Sequence, residues 1–194
     1  MNRKMKSLLN IASATVMMAA LSGCVTNVAV PKGFRFNKKN NDGILAFSVG
    51  CNLGNYSGGQ IFIGTPNNVF GNLYQTNGFS CMLPNGNQDI LTYISYKLPA
   101  GTYSVDGWTI PTDLNHNISD SFNKPFTFKV ERNKVNYIGS IELMKKPNHH
   151  YEMIFTKQRL QTDFKYFYNY FPNISHTQYR FVKPVPKKRN WYND

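Results

Sequence analysis

Ile90-Leu91-Thr92-Tyr93-Ile94-Ser95-Tyr96-Lys97-Leu98-Pro99-Ala100-Gly101-Thr102-Tyr103-Ser104-Val105 is the most regular stretch of the chain. Leu91, Tyr93, Ser95 and Lys97 alternate with Ile90, Thr92, Ile94, Tyr96 and Leu98. That period of two belongs to a strand, in which successive side chains point to opposite faces. Pro99-Ala100-Gly101 then turns the chain into Tyr103-Ser104-Val105, and the spacing predicts a hairpin over 90–110.

The same pattern continues downstream. Phe126-Thr127-Phe128-Lys129-Val130 has an apolar side at every second residue, Arg132-Asn133-Lys134 forms a turn, and Val135 to Leu143 returns as its partner. Upstream, Ile44 to Val49 is short and mostly apolar, as a core strand is. From Gly50 to Gln88 the chain is dense in Gly, Asn and Ser around brief apolar pieces such as Ile61-Phe62-Ile63 and Val69-Phe70. Asn77-Gly78 and Asn85-Gly86 are turn signals, so this region predicts short strands and tight turns, not a helix. Tyr151 to Thr156 is one more strand.

One helix is expected, near 162–171. Thr162 or Asp163 can cap it, and Phe164, Phe167, Tyr168 and Phe171 fall at i, i+3, i+4 and i+7, one face of about two turns. Pro172 ends it. The stripe is a packing face for the sheets, because the opposite face carries only Lys165 and neutral polar groups, too little charge for a helix lying on a membrane.

The 194 residues carry 22 Lys and Arg against 10 acids, a net charge of +12. Such a balance suits a polyanionic neighbour. Nucleic acid is disfavoured as that neighbour, because the chain has no helix-turn-helix pattern, aromatic RNA-binding signature or zinc-finger spacing. His149 and His150 are adjacent and in a strand would point to opposite faces, and His116 and His176 lie far off, so no metal site is expected. Asp106 with Asp113, and Glu142 with Glu152, are the carboxylate pairs on offer for glycoside cleavage, but acids at arbitrary spacing are expected by chance. No nucleophile elbow, phosphate-binding loop or zinc-protease motif occurs, and no cofactor is expected.

The amino terminus is an address. Arg3, Lys4 and Lys6 precede an apolar run from Leu8 to Leu21 that is broken only by Asn10, Ser13 and Thr15, which suits a secretory signal and is too short for a transmembrane span of about 20 apolar residues. It ends in Leu21-Ser22-Gly23-Cys24, which resembles the lipobox of bacterial envelope lipoproteins. The resemblance implies that residues 1–23 are removed and that Cys24 becomes a lipidated first residue. It also implies an outer-membrane destination, because Val25 stands where Asp would retain an inner-membrane lipoprotein, with the body facing the periplasm. The mature chain then has 171 residues and a charge of +9, enough for one domain with its own core. Residues 24–42 are expected as a lipidated tether, part of which Phe34 and Phe36 can dock on the domain, 43–182 as the β domain, and 183–194 as a basic flexible tail. Lys183, Lys187, Lys188 and Arg189 in that tail, spaced by Pro184 and Pro186, can collect on an anionic surface.

A second resemblance rests on Leu98-Pro99-Ala100-Gly101-Thr102-Tyr103 and on Asn136-Tyr137-Ile138-Gly139, which are similar to a turn and a later strand of small Gram-negative lipoproteins with a transthyretin-like sandwich. The expectation is a mainly β protein: an antiparallel β-sandwich, transthyretin-like or Greek-key, with one short C-terminal helix. Function is expected to be that of a lipid-anchored, non-catalytic module for another envelope protein or an anionic glycan. A hydrolase acting on an envelope polymer is the alternative.

With Cys24 lipidated, Cys51 and Cys81 remain as an even pair in an oxidising compartment, either as a disulfide or as two unpaired buried thiols. A bridge would close a loop of about 31 residues and stabilise by roughly 3–4 kcal/mol. The mature protein isolated without reductant is expected to be two hydrogens lighter than its reduced form by mass spectrometry. Free thiols on both residues would refute the bridge.

Overall fold

The structure is a computed structural model and describes residues 29–52, 59–65, 74–75, 91–111, 117–147 and 151–186. The described residues form ten strands, in chain order β1 (Asp42–Asn52), β2 (Gln60–Gly64), β3 (Tyr74–Gln75), β4 (Leu91–Pro99), β5 (Gly101–Pro111), β6 (Asn117–Val130), β7 (Val135–Lys145), β8 (Tyr151–Thr156), β9 (Tyr179–Phe181) and β10 (Val185–Pro186). Among the described residues a single helix of more than one turn, α1 (Leu160–Tyr170), separates β8 from β9. The protein is a β-sandwich with one short helix, as its period-two segments and aromatic stripe predict.

One sheet has the order β4-β1-β7-β8, with β9 also paired to β7; the other runs β10-β6-β5-β2-β3. Leu45, Phe47, Val49, Leu98 and Ile141 of the first sheet meet Ile61, Val105, Trp108, Ile110 and Val130 of the second in the main core. The far side of the first sheet carries a second core, where Ile44, Ala46, Val135 and Tyr137 lie against Phe167 and Phe171 of α1. β1 is therefore buried on both faces, which explains why Ile44 to Val49 is a nearly continuous apolar run with no alternation.

Neither expected hairpin forms. β4 pairs with β1, while β5 pairs with β2 and β6, so Pro99-Ala100-Gly101 carries the chain from one sheet to the other. The turn after Val130 does the same between β6 and β7. Alternation determines which face of a strand is apolar but not which strand lies beside it. Here Tyr96 and Leu98 oppose Tyr103 and Val105 across the core. The first sheet is also not purely antiparallel, because β1 and β9 both run parallel to β7. A parallel neighbour needs a long crossover, and the segments from β2 to β6 supply it for the β1–β7 pair.

β7 has different partners along one flank. Ser140 to Lys145 pair with β8, and Val135 to Tyr137 pair with β9. Gly139 sits at the changeover with φ +106, and a Cβ there would lie 2.7 Å from the Thr156 carbonyl oxygen. Both the backbone conformation and the space require glycine. Gly139→Ala is expected to lower the free energy of unfolding in urea by about 2 kcal/mol or more. Gly101→Ala, whose Cβ would only touch the Tyr103 ring at 3.7 Å, is expected to change it by less than about 1 kcal/mol. Equal stabilities of the two variants would contradict this account.

Candidate functional site

The sequence places an acid on an apolar helix face. α1 begins at Leu160, two residues before the expected start, with Arg159 at its N-cap position and no side-chain capping bond. Asp163 is thus not a cap. It lies four residues before Phe167 on the inward stripe and is completely buried. Ser48 of β1 donates to its Oδ2 at 2.5 Å, the Tyr137 hydroxyl of β7 donates to the same oxygen, and the Tyr93 hydroxyl of β4 donates to Oδ1 at 3.3 Å. Arg159 stands 3.7 Å from Oδ1, one helical turn back. One carboxylate therefore joins the helix to three adjacent strands.

These contacts change the tyrosines. Burial first, and then the hydrogen bond and charge of Asp163, push the Tyr137 hydroxyl far above the ordinary tyrosine range. Tyr93 is raised for the same reasons, partly offset by Arg159. The hydroxyls thus stay protonated and act as donors. The rest of the stripe packs as expected: Phe167 and Phe171 are buried, and Phe164 and Tyr168 are half-buried beside Tyr137 and Tyr179.

Among the described residues, two recesses adjoin this helix layer. The smaller, about 190 Å³, lies between β4 and α1 and is walled by Tyr93, Tyr166 and Tyr170. Tyr166 stacks on Tyr93 with centroids 3.6 Å apart and planes 9° from parallel, and it is 38% exposed. Ala29 forms part of the rim; it bridges to Tyr96, and the Val30 N–H donates to the Ser95 carbonyl at 3.4 Å.

The larger recess, about 520 Å³, is lined by Arg35, Phe36, Lys38, Asn133, Asn173 and Gln178. Its walls come from three segments that are bonded to one another. Asn173 donates to the Gly33 carbonyl at 2.8 Å and accepts from the Arg35 guanidinium at 3.2 Å. Arg132 donates to the Lys38 carbonyl, and Gln178 donates to the Asn133 carbonyl at 3.1 Å. Asn133 occupies the left-handed region at φ 53, a conformation asparagine tolerates, and its buried Oδ1 has no hydrogen-bond partner.

The residues singled out in the sequence are dispersed. Cys24, Cys81, Lys187, Lys188, Arg189, Asp113, His116, His149 and His150 lie outside the described residues, and Cys51 sits near the end of β1 in register with Leu143. Lys183 is exposed. The segment expected to be a flexible tail from residue 183 is held to the domain as far as Pro186: Pro184 is buried, and Val185-Pro186 form β10 against Phe126-Thr127. Its prolines fit that position because an edge strand can forgo an N–H. Asp106 is in the second sheet and accepts from Ser104 at 2.9 Å, whereas Glu142 is on β7 of the first. Glu152 is exposed and paired with Lys146 at 3.0 Å. His176 stacks on Tyr168 with centroids 3.8 Å apart. Among the described residues no group of three or more His, Cys, Asp or Glu could hold a metal.

Sequence reading missed the buried role of Asp163, which it offered as a cap, and the Arg35–Lys38 recess. An acid in register with Phe167 and Phe171 was the available signal, since an acid on a buried face must be partnered. The recess has no comparable signal, because its walls are about 40 to 140 residues apart. No protein family, no curated protein and no solved structure matches this chain.

Asp163→Ala would leave the Ser48 and Tyr137 hydroxyls buried without their acceptor and is expected to cost about 3 kcal/mol or more in denaturant unfolding. Tyr137→Phe is expected to cost about 1–2 kcal/mol. The folded Tyr137 has a raised pKa, so the unfolded chain releases that proton first. Its contribution is complete below the ordinary tyrosine pKa of about 10 and falls as pH rises above it, by about 1.4 kcal/mol per pH unit. Above that pH the Tyr137→Phe variant should lose stability less steeply than the parent. Identical slopes would remove Tyr137 from the alkaline transition.

Proposed function

We propose that this chain is a lipid-anchored protein of the bacterial outer membrane, facing the periplasm and working as a non-catalytic binding module. The observation that carries the reading is the closeness of the lipobox cysteine to the folded body. Cys24 precedes Ala29 by five residues, and Ala29 is already bridged to β4 while Val30 is buried in the second core. Five residues span at most about 18 Å. The expected tether of residues 24–42 is thereby shortened to a stub: Phe34 and Phe36 pack beside the helix, and Asp42 opens β1. An acyl anchor on Cys24 would hold the β4 and α1 side of the domain near the bilayer.

The character of the two recesses supports binding over hydrolysis. Among the described residues the two recesses are lined by tyrosines, amides and cations, groups that bind and orient a partner. Such surfaces suit an envelope protein or an anionic glycan. The exposed Lys183, together with Lys187, Lys188 and Arg189, would add attraction of about 1 kcal/mol per cation near an anionic surface.

Replacing Cys24 by Ser in cells fed labelled fatty acid is expected to abolish label on the protein and release it from the membrane fraction. Label retained by the variant would overturn the anchor.

A further inference from the structure

We propose that the recess between Arg35, Phe36, Lys38 and Asn133 binds a saccharide carrying a phosphate group. The proposal rests on reading the domain as a binding module but not on its anchor. Two cations face one cavity without competition. None of the ion pairs among the described residues involves Arg35 or Lys38, and the nearby acids are engaged elsewhere, Asp42 with Lys97 and Glu131 with Arg180. Asn173 holds one nitrogen of the Arg35 guanidinium, which orients the fork while leaving its other donors for an oxyanion. Lys38 adds a second positive charge, as a phosphate dianion favours.

The remaining features point past bare phosphate. Three amide side chains, those of Asn133, Asn173 and Gln178, line the cavity, and amides pair with hydroxyl groups. A phosphate dianion can only accept from them, whereas a sugar hydroxyl can both donate and accept. Phe36, packed edge-to-face against Phe34 with centroids 5.3 Å apart, gives the recess an apolar wall suited to the C–H face of a pyranose ring. A volume of about 520 Å³ falls in the range of small-ligand sites, roughly 300–1,000 Å³. The bonds Gly33–Asn173, Lys38–Arg132 and Asn133–Gln178 preform the walls, which lowers the ordering cost of binding.

The same chemistry is offered by a free sugar phosphate and by the head group of a phosphorylated glycolipid. The test uses the full mature chain in detergent micelles, titrated by NMR and calorimetry with glucose 6-phosphate, inorganic phosphate and glucose, then with phosphatidylglycerol vesicles. Glucose 6-phosphate is expected to shift the amides around Arg35, Asn133 and Asn173 and to bind at least tenfold more tightly than phosphate or glucose. Arg35→Ala should weaken it at least tenfold with an unchanged melting temperature, and Lys38→Glu serves if that variant does not fold. Asn133→Gly keeps the left-handed backbone while removing one of the lining amides, so it should reduce the preference for glucose 6-phosphate over phosphate.

Competition between glucose 6-phosphate and a glycolipid bearing the same head group, in vesicles, would extend the site to the membrane-borne source. The free sugar phosphate alone would confine it to the soluble one. Equal binding of inorganic phosphate, shifts confined to other surfaces, displacement by phosphatidylglycerol as strong as by the sugar phosphate, or affinity indifferent to Arg35 and Lys38 would each overturn the assignment. None of these outcomes bears on the lipid anchor, which is read from Cys24 fractionation alone.

Discussion

A carboxylate sealed from water under a helix is the constraint on which this arrangement depends. Phe164, Phe167, Tyr168 and Phe171 could seat on a sheet in several ways, since aromatic packing is weakly directional. Asp163 could not. Its two oxygens must meet Ser48, Tyr137 and Tyr93, on three neighbouring strands, while Arg159 stays within 3.7 Å. A buried charge without those donors would cost several kcal/mol, so displaced placements of α1 are penalised. The stacked Tyr93 and Tyr166, which form a wall of the smaller recess, are held in place by the same clamp.

The clamp matters because the first sheet is loaded from both sides. Leu45, Phe47 and Val49 serve the main core, while Ile44 and Ala46 serve the helix core. Neither layer can be removed without exposing β1. The docked segment from Val30 to Phe36 and the return strand β9 complete the cover, and their meeting with the β6–β7 turn creates the larger recess. Its cationic lining is thus a by-product of closing the second core as well as a surface with chemistry of its own.

Much of this fold was legible in the chain. Alternation in Leu91 to Leu98 and in Phe126 to Val130 marked strands whose faces are as expected, and the phenylalanine spacing marked α1. Partnership was not legible. Pro99-Ala100-Gly101 has the local chemistry of a hairpin turn, yet the chain there changes sheets, because core complementarity across the sandwich overrides sequence adjacency. The helix boundary was misjudged for a related reason: Asp163 has the residue type of a cap, and only its place on the apolar stripe shows that it turns inward. The Arg35, Asn133 and Asn173 constellation was invisible, since nothing local in any of the three segments reports on the other two.

The parallel pairing of β1 with β7 also has a temporal side. Ile44 stands in register with Val135, so 91 residues separate two neighbours at the middle of a sheet. Closing such a loop is entropically costly before any contact rewards it, and topologies dominated by distant pairs fold slowly. Residues 44–49 of β1 are nearly all apolar, and their β7 flank stays open until most of the domain has been made. The strand is then an exposed template for misassociation. The chain order thus makes residues 44–49 the segment most in need of shielding during biogenesis, although in the finished protein they are among the best protected.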